Sequence, residues 1–170
     1  YGQAKVKLDN LAAPMTDRCM FLDPTADFTL MDNLKGLFHS GKALTAQYDS
    51  GGMTRSGTLN ADWYVDQSIF KQTLGTVGGT PIVGTAPVSG ATSIATTGWS
   101  STTLNAGDIV SFVSTSTPVN GVNPQNYQST GETMQFVVTA TSSDSGGAIT
   151  IPIGPAIIGP GQQLQNVTNL

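Results

Sequence analysis

The fold class this sequence predicts is α+β: a mixed first segment leading into a small all-β module. Three observations predict it. The first is charge: only 11% of the 170 residues are Asp, Glu, Lys or Arg, and they crowd into one part of the chain. Residues 1–71 hold all seven basic residues and eight of the eleven acidic ones, whereas Gln72–Leu170 keeps only Asp108, Glu132 and Asp144. A composition step of this size marks a boundary near residue 70. The second is apolar periodicity, which is helical in one stretch before residue 40 and absent beyond residue 72. The third is a run of short Thr-, Val- and Ile-rich stretches after residue 72, punctuated by Gly, Asn and Pro at intervals of about ten residues.

In chain order, Lys5-Val6-Lys7-Leu8 alternates polar and apolar, the period of a half-buried strand. Cys19-Met20-Phe21-Leu22 is a short apolar run and predicts a second strand, with Cys19 as a core thiol. It ends at Asp23-Pro24. Asp23 suits an N-cap, and Pro24 suits the first helical position, where its missing N–H costs nothing. Leu30, Leu34, Leu37 and Phe38 then recur on one helical face, so a helix is predicted over 24–39. His39 falls in its last turn and Gly41 can close it. Residues 43–61 read as irregular, with Gly51-Gly52 and Gly57 as breakers. Trp63-Tyr64-Val65 and Ser68-Ile69-Phe70 read as extended.

In the second segment the predicted strands are 81–84, 93–97, 108–113, 133–141 and 148–153, with Ala156-Ile157-Ile158 as a sixth. Ser145-Gly146-Gly147 separates two of them as a hairpin turn would. Pro152 predicts an edge or a bulge in the strand that carries it. Short strands with regular turns suggest a small barrel or sandwich.

Composition narrows function as well. The low charge argues against a disordered chain and against a broad basic face for nucleic acid. Cys19 is the only cysteine and His39 the only histidine, so an internal disulfide, an all-cysteine site and a two-histidine zinc site are ruled out. No run of about twenty apolar residues could span a membrane. The chain opens on Tyr1 without a leader, and reads as a piece of something longer.

Each candidate motif has a plainer reading. Asp49-Ser50-Gly51-Gly52 and Asp144-Ser145-Gly146-Gly147 echo the surroundings of a protease serine, but two copies cannot share His39 as base, and both suit turns. Asp62 and Asp66 on an extended segment would stand roughly 13 Å apart, too far for a retaining-glycosidase pair. Asp108 at a tight turn is expected to bond local backbone. Gly75, Gly78 and Gly79 do not open a helix as a phosphate loop would. Asn166-Val167-Thr168 matches a glycosylation acceptor by coincidence. The residues therefore point to no catalytic, cofactor or metal site. A neutral, hydroxyl-rich β-module suits adhesion, glycan binding or packing against its own copies, and composition does not choose among them.

A resemblance does choose. The stretch Tyr1-Gly-Gln-Ala-Lys-Val-Lys-Leu-Asp-Asn-Leu-Ala-Ala-Pro14, continued by Asp17-Arg18-Cys19-Met20-Phe21-Leu22-Asp23-Pro24, resembles the major capsid proteins of tailed bacteriophages. The branch is that of the short-tailed Salmonella phages. Lys35-Gly36-Leu37-Phe38, Met53-Thr54-Arg55-Ser56-Gly57 and Asp62-Trp63-Tyr64-Val65-Asp66-Gln67 continue the likeness. Further on, Leu104-Asn105-Ala106-Gly107-Asp108-Ile109-Val110-Ser111-Phe112 is similar to the strand that opens the family's inserted barrel. Val122-Asn123-Pro124-Gln125, Ser129-Thr130-Gly131, Gln135-Phe136-Val137-Val138-Thr139, residues 148–158 and Gln165-Asn166-Val167-Thr168 follow in order. No single piece is a strong motif, but the ordered set is specific and covers nearly the whole chain.

The resemblance implies part of a Hong-Kong-97-type capsid fold. Residues 1–71 would belong to the domain around the capsomer centre. Residues 72–165 would form an inserted six-stranded β-barrel, and 166–170 would return towards the coat fold. It implies a structural protein of the virion, not an enzyme, assembled in the bacterial host cytoplasm. Its partners would be other copies in hexamers and pentamers, a scaffolding protein, a portal, and phage DNA held non-specifically on the inner face; no membrane is involved. One departure stands out: the stretch between Gly84 and Ser101 is short and neutral, where some relatives carry a long charged hairpin pairing neighbouring capsomers. The alternative reading is a β-sandwich adhesion or glycan-binding module, for which Trp99 and Tyr127 supply the only Trp and Tyr beyond residue 70. A hydrolase would have to use His39 as its base.

Overall fold

The computed structural model describes residues 2–34, 60–114 and 117–170. They divide into two compact units. Residues 1–9 and 13–71 make the first, and Asn10–Ala12 with Gln72–Leu170 make the second. The step in charge and the division of the structure both fall between Lys71 and Gln72.

The first unit opens with helix α1 (Gly2–Asn10), where the alternation of Lys5–Leu8 predicts a strand. Four residues are too few to separate a period of 2 from one of 3.6. The outcome is set by good helix formers at Gln3, Ala4, Lys5, Lys7 and Leu8 and by the Lys5–Asp9 ion pair at i,i+4. The helix ends with Ala13 N–H donating to the Leu8 carbonyl at 2.9 Å. Ala12 takes the left-handed conformation (φ 55°) that glycine usually fills at such an end. Arg18 fixes the following turn: its guanidinium donates to Asp9 Oδ1 at 2.6 Å, to the Pro14 carbonyl at 2.7 Å and to the Ala13 carbonyl at 3.0 Å.

Strand β1 (Cys19–Leu22) forms where the apolar run predicts it, and it pairs in parallel with β2 (Asp62–Val65). Leu22 and Trp63 are buried, but Cys19 is exposed, so the core-thiol expectation is corrected. A four-residue run without a polar position does not reveal which face turns inward. Phe21 and Tyr64 are register partners and stack at 5.5 Å on the exposed face. Helix α2 (Pro24–Leu34) starts as its cap predicts, with Asp23 Oδ1 accepting the Ala26 N–H at 3.2 Å. The rest of the predicted 24–39 helix, with His39 and Gly41, lies outside the described residues. So do residues 43–59, including Gly51-Gly52 and Gly57. Ser68-Ile69-Phe70 is not a strand: Asp66 Oδ1 accepts the Ser68 N–H at 2.8 Å and turns the chain.

The second unit is almost entirely β. Its main sheet is antiparallel, in the order β3 (Gly79–Val83), β4 (Ala91–Trp99), β13 (Ala148–Ile157), β11 (Phe136–Val138), β6 (Ile109–Val110). Six shorter strands make three small ladders beside it. β5 (Thr103–Leu104) pairs with β12 (Ser142–Ser143), and β9 (Asn120–Val122) pairs with β10 (Ser129–Thr133). β7 (Val113–Ser114) and β8 (Thr117–Pro118) pair with each other. The inward alternation of Ile149, Ile151 and Ile153 on β13 meets Ile94 of β4 and Phe136 and Val138 of β11. Leu104, Val119, Ile157 and Val167 complete that cluster, and Phe112 packs on Phe136 at a ring separation of 5.8 Å.

The expected closed six-stranded barrel is not formed; the sheet curls into a half-barrel. Two departures from the predicted strands explain this. The 108–113 strand breaks after Val110, leaving β6 only two residues long at one edge, and β3 at the other edge does not reach it. The last two predicted strands merge into the single strand β13. Pro152 lies within it, followed by the register shift against β4 that its bulge reading requires. It is not at an edge, because β13 has β4 on one side and β11 on the other. The hairpin turn is as predicted: Ser145 and Ala148 exchange backbone bonds across Gly146-Gly147, whose φ values of 60° and 80° suit a type I′ turn.

Candidate functional site

Breaking the 108–113 strand leaves an opening, and polar bonds from the module's first residues line one side of it. Asp108, buried at the end of the Asn105–Gly107 turn, points its carboxylate at three donors. Oδ2 accepts from the Asn105 N–H at 2.8 Å and the Gly75 N–H at 3.0 Å, and Oδ1 from the Gln72 amide at 3.3 Å. The first of these is the local backbone bond the sequence predicts; the others reach back more than thirty residues. The Asn105 bond, foremost, and then those from Gly75 and Gln72 hold the carboxyl below the usual carboxylate range, against the opposing effect of burial. Among the described residues no basic side chain takes part.

These bonds make residues 72–78 a strap along 100–108. Thr76 bridges Thr103, Asn105 Nδ2 donates to the Thr73 carbonyl at 3.0 Å, and the Gly78 N–H donates to Thr102 Oγ1 at 2.9 Å. The strap lies so close that a Cβ on Gly75 would stand 2.1 Å from the Thr103 carbonyl oxygen. Gly75, Gly78 and Gly79 therefore allow backbone to approach backbone, and they lead into a strand, not a helix.

Between the strap, β3 and β6 runs an apolar cleft of about 890 Å³. Its floor is the inner face of the half-barrel, including Ile94, Ile151 and Ile157, and its rim carries Leu74, Val77, Ile82, Ile109 and Val113. Sequence reasoning missed it, because an open seam depends on which strands fail to meet. The clustering of apolar residues at 74, 77, 82, 109 and 113 was the available signal, but it spans two separate stretches of chain.

The other candidates fall out individually. Asp144 Oδ1 accepts the Thr102 N–H at 2.7 Å, and Ser145 closes the hairpin turn. The 49–52 copy of that motif and His39 lie outside the described residues. Asp62 pairs within the β-ladder and Asp66 makes its turn, so each has a local role. Asn166 is built into the fold: Oδ1 accepts from the Ile158 N–H at 2.8 Å and Nδ2 donates to the Ala156 carbonyl at 2.7 Å. Trp99 is half-buried with its indole N–H on Thr96 Oγ1 at 2.7 Å, while the Tyr127 hydroxyl donates to the Gln163 carbonyl at 3.1 Å. Among the described residues, no three His, Cys, Asp or Glu side chains gather as a metal site, and no helix is long and apolar enough to cross a membrane. No protein-family model matches the sequence, and no curated protein matches it.

Proposed function

We propose that the chain is a portion of a major capsid protein of the tailed-bacteriophage type. On this reading residues 1–71 belong to the domain around the capsomer centre, 72–165 form an inserted β-module, and 166–170 lead back. The observation that carries it is the ordered set of short resemblances, collinear from Tyr1 to Thr168. The coincidence of the charge step with the division into two units supports it. So does the module's self-contained core. Its entering strap and Asn169 and Leu170, in the stretch that leads back, line the same cleft, an arrangement that suits an insertion returning near its point of entry.

The function that follows is structural. Copies assemble as hexamers and pentamers into an icosahedral shell around double-stranded phage DNA, with a scaffolding protein and a portal, in the host cytoplasm. Many weak repeated interfaces make such a shell cooperative. DNA contact falls to other parts of the protein, since residues 72–170 hold no basic side chain to meet phosphates. Negative-stain electron microscopy of the gene product containing this chain, with intact mass alongside, tests the reading. Uniform icosahedral particles are expected; a product that stays a small monodisperse protein under assembly conditions would overturn it.

A further inference from the structure

Among the described residues of the second unit, Tyr127 carries the only exposed aromatic ring, at 49%. Trp99 is half-buried, with its indole N–H engaged by Thr96. The Tyr127 backbone lies in the left-handed region (φ 56°), which a bulky side chain rarely enters. Two bonds hold it there. Its N–H donates to the Asn123 carbonyl at 2.9 Å, and its hydroxyl donates to the Gln163 carbonyl at 3.1 Å. The ring is thus pinned at both ends, between the 123–128 turn and the 159–165 loop, and half of its surface faces solvent. Glycine or asparagine would make this turn without strain, so the turn itself does not call for a tyrosine.

Carboxamides flank the ring along the chain. Gln125, Asn126 and Gln128 stand on the same turn, and Gln162 and Gln163 on the loop that the hydroxyl reaches; all are exposed. Among the described residues no hydrogen bond engages the side-chain amides of Gln125, Gln128, Gln162 or Gln163. Asn126 uses only its Oδ1, which accepts the Gln128 N–H at 2.9 Å.

Charge and polarity narrow the ligand. Residues 109–131 and 145–170 contain no Asp, Glu, Lys, Arg or His. An anionic ligand, a nucleotide included, finds no cation there, and a cationic one finds no carboxylate. An apolar molecule would strip water from the free carboxamides without replacing its hydrogen bonds. A proline-rich peptide takes a groove of several rings, and here there is one. What fits is a neutral molecule with an apolar face for the ring and neighbouring hydroxyls for amides that both donate and accept. A hexopyranose has both.

We propose that Tyr127 and the amides of the two loops form a binding site for one neutral hexopyranose unit of an oligosaccharide. The inference goes beyond the capsid reading and does not depend on it, since it concerns a surface of the module whatever assembly carries it. Proton–nitrogen correlation NMR of the whole chain, titrated with maltotriose, cellotriose or chitotriose to about 20 mM, tests it. At least one sugar should shift the glutamine side-chain amides and the Tyr127 N–H saturably, with a Kd on the order of 1–10 mM for a one-ring site. Tyr127→Phe keeps the ring and should bind within about threefold of the parent. Tyr127→Asn suits the left-handed turn but lacks the ring, and should lose at least about tenfold. Gln162→Ala combined with Gln163→Ala leaves the Gln163 carbonyl in place and should weaken binding about threefold or more. These two exposed positions carry the test if Tyr127→Asn does not fold. Absence of a saturable shift with all three sugars would overturn the proposal, as would parent-like binding by Tyr127→Asn or by the double glutamine variant. Equal losses in Tyr127→Phe and Tyr127→Asn would overturn it too, reducing Tyr127 to a loop tether. Tighter binding of trigalacturonic acid than of the neutral sugars would overturn the choice of a neutral ligand.

Discussion

The two units fix their loops in opposite ways. In the first, the Arg18 guanidinium collects three acceptors, one of them the Asp9 carboxylate, and Lys5 joins the same carboxylate. In the second, the Asp108 carboxylate collects three donors, none of them charged. The first unit's described buried apolar residues are Leu22, Ala61 and Trp63, whereas the second has a contiguous cluster from Ile94 to Val167. A nearly uncharged module therefore need not lack strong polar anchors. Backbone N–H groups converging on one carboxylate replace the ion pairs that order the first unit's turn, and they do so without a counter-charge for salt to screen.

Attacking the core should produce the largest effect and break the comparison most directly. Phe136→Ala removes a fully buried ring from the second unit and is expected to cost about 3–5 kcal/mol in denaturant unfolding of the module. The turn ordered by Arg18 should keep its hydrogen-exchange protection in that variant.

A smaller effect tests the strap. Gly75→Ala would place a methyl 2.1 Å from the Thr103 carbonyl oxygen, a backbone atom that cannot swing aside, and should cost about 1–3 kcal/mol. Gly84→Ala, whose methyl would meet its nearest neighbour at 3.6 Å, should stay within about 0.5 kcal/mol of the parent. Equal losses in the two variants would mean that the strap is not closely held.

The smallest effect sharpens the contrast between the anchors. Asp9 and Asp108 both have lowered pKa values, the first chiefly through Lys5 and then Arg18, the second chiefly through the Asn105 N–H. A carboxyl with a depressed folded-state pKa stabilises above the ordinary value of about 3.9 and loses that contribution as pH falls through its folded-state pKa. Exchange protection of the Gly75 and Asn105 amides, after correction for intrinsic rates, should therefore hold from neutrality down to the ordinary carboxylate range and fall only below it. Asp108→Asn should lower that protection at neutral pH and flatten its acid dependence. In 1 M salt the Arg18 turn should loosen while the Asp108 strap does not, and a strap equally sensitive to salt would erase the distinction.

How much was legible follows from where each determinant lies in the chain. Asp23-Pro24 announces a helix start because cap and first turn are neighbours, and Ser145-Gly146-Gly147 announces a hairpin for the same reason. Cys19–Leu22 reads as a strand, yet its exposed face depends on what packs behind it. Lys5–Leu8 misleads because its alternation is shorter than the helical ion pair that overrides it. Asp108 shows its bond to Asn105 in the local turn, but not its bond to Gly75, which needs the folded edge of the module. The open half-barrel was least legible: closure depends on whether strands far apart in sequence, here β3 and β6, come within bonding distance.

The Gly146-Gly147 turn has a practical consequence. Gly146 is exposed with open space around it, but its φ of 60° would strain any side chain placed on it, so foreign sequence belongs there as an insertion and not as a substitution. An exposed tip tied down on both flanks by the Ser145–Ala148 bonds is the kind of place where foreign sequence is tolerated. A peptide epitope, a fluorophore tag or a capture sequence grafted at this tip would project away from the sheet. The chain thus offers a ready point of attachment for display, far in sequence from the strap that anchors the module.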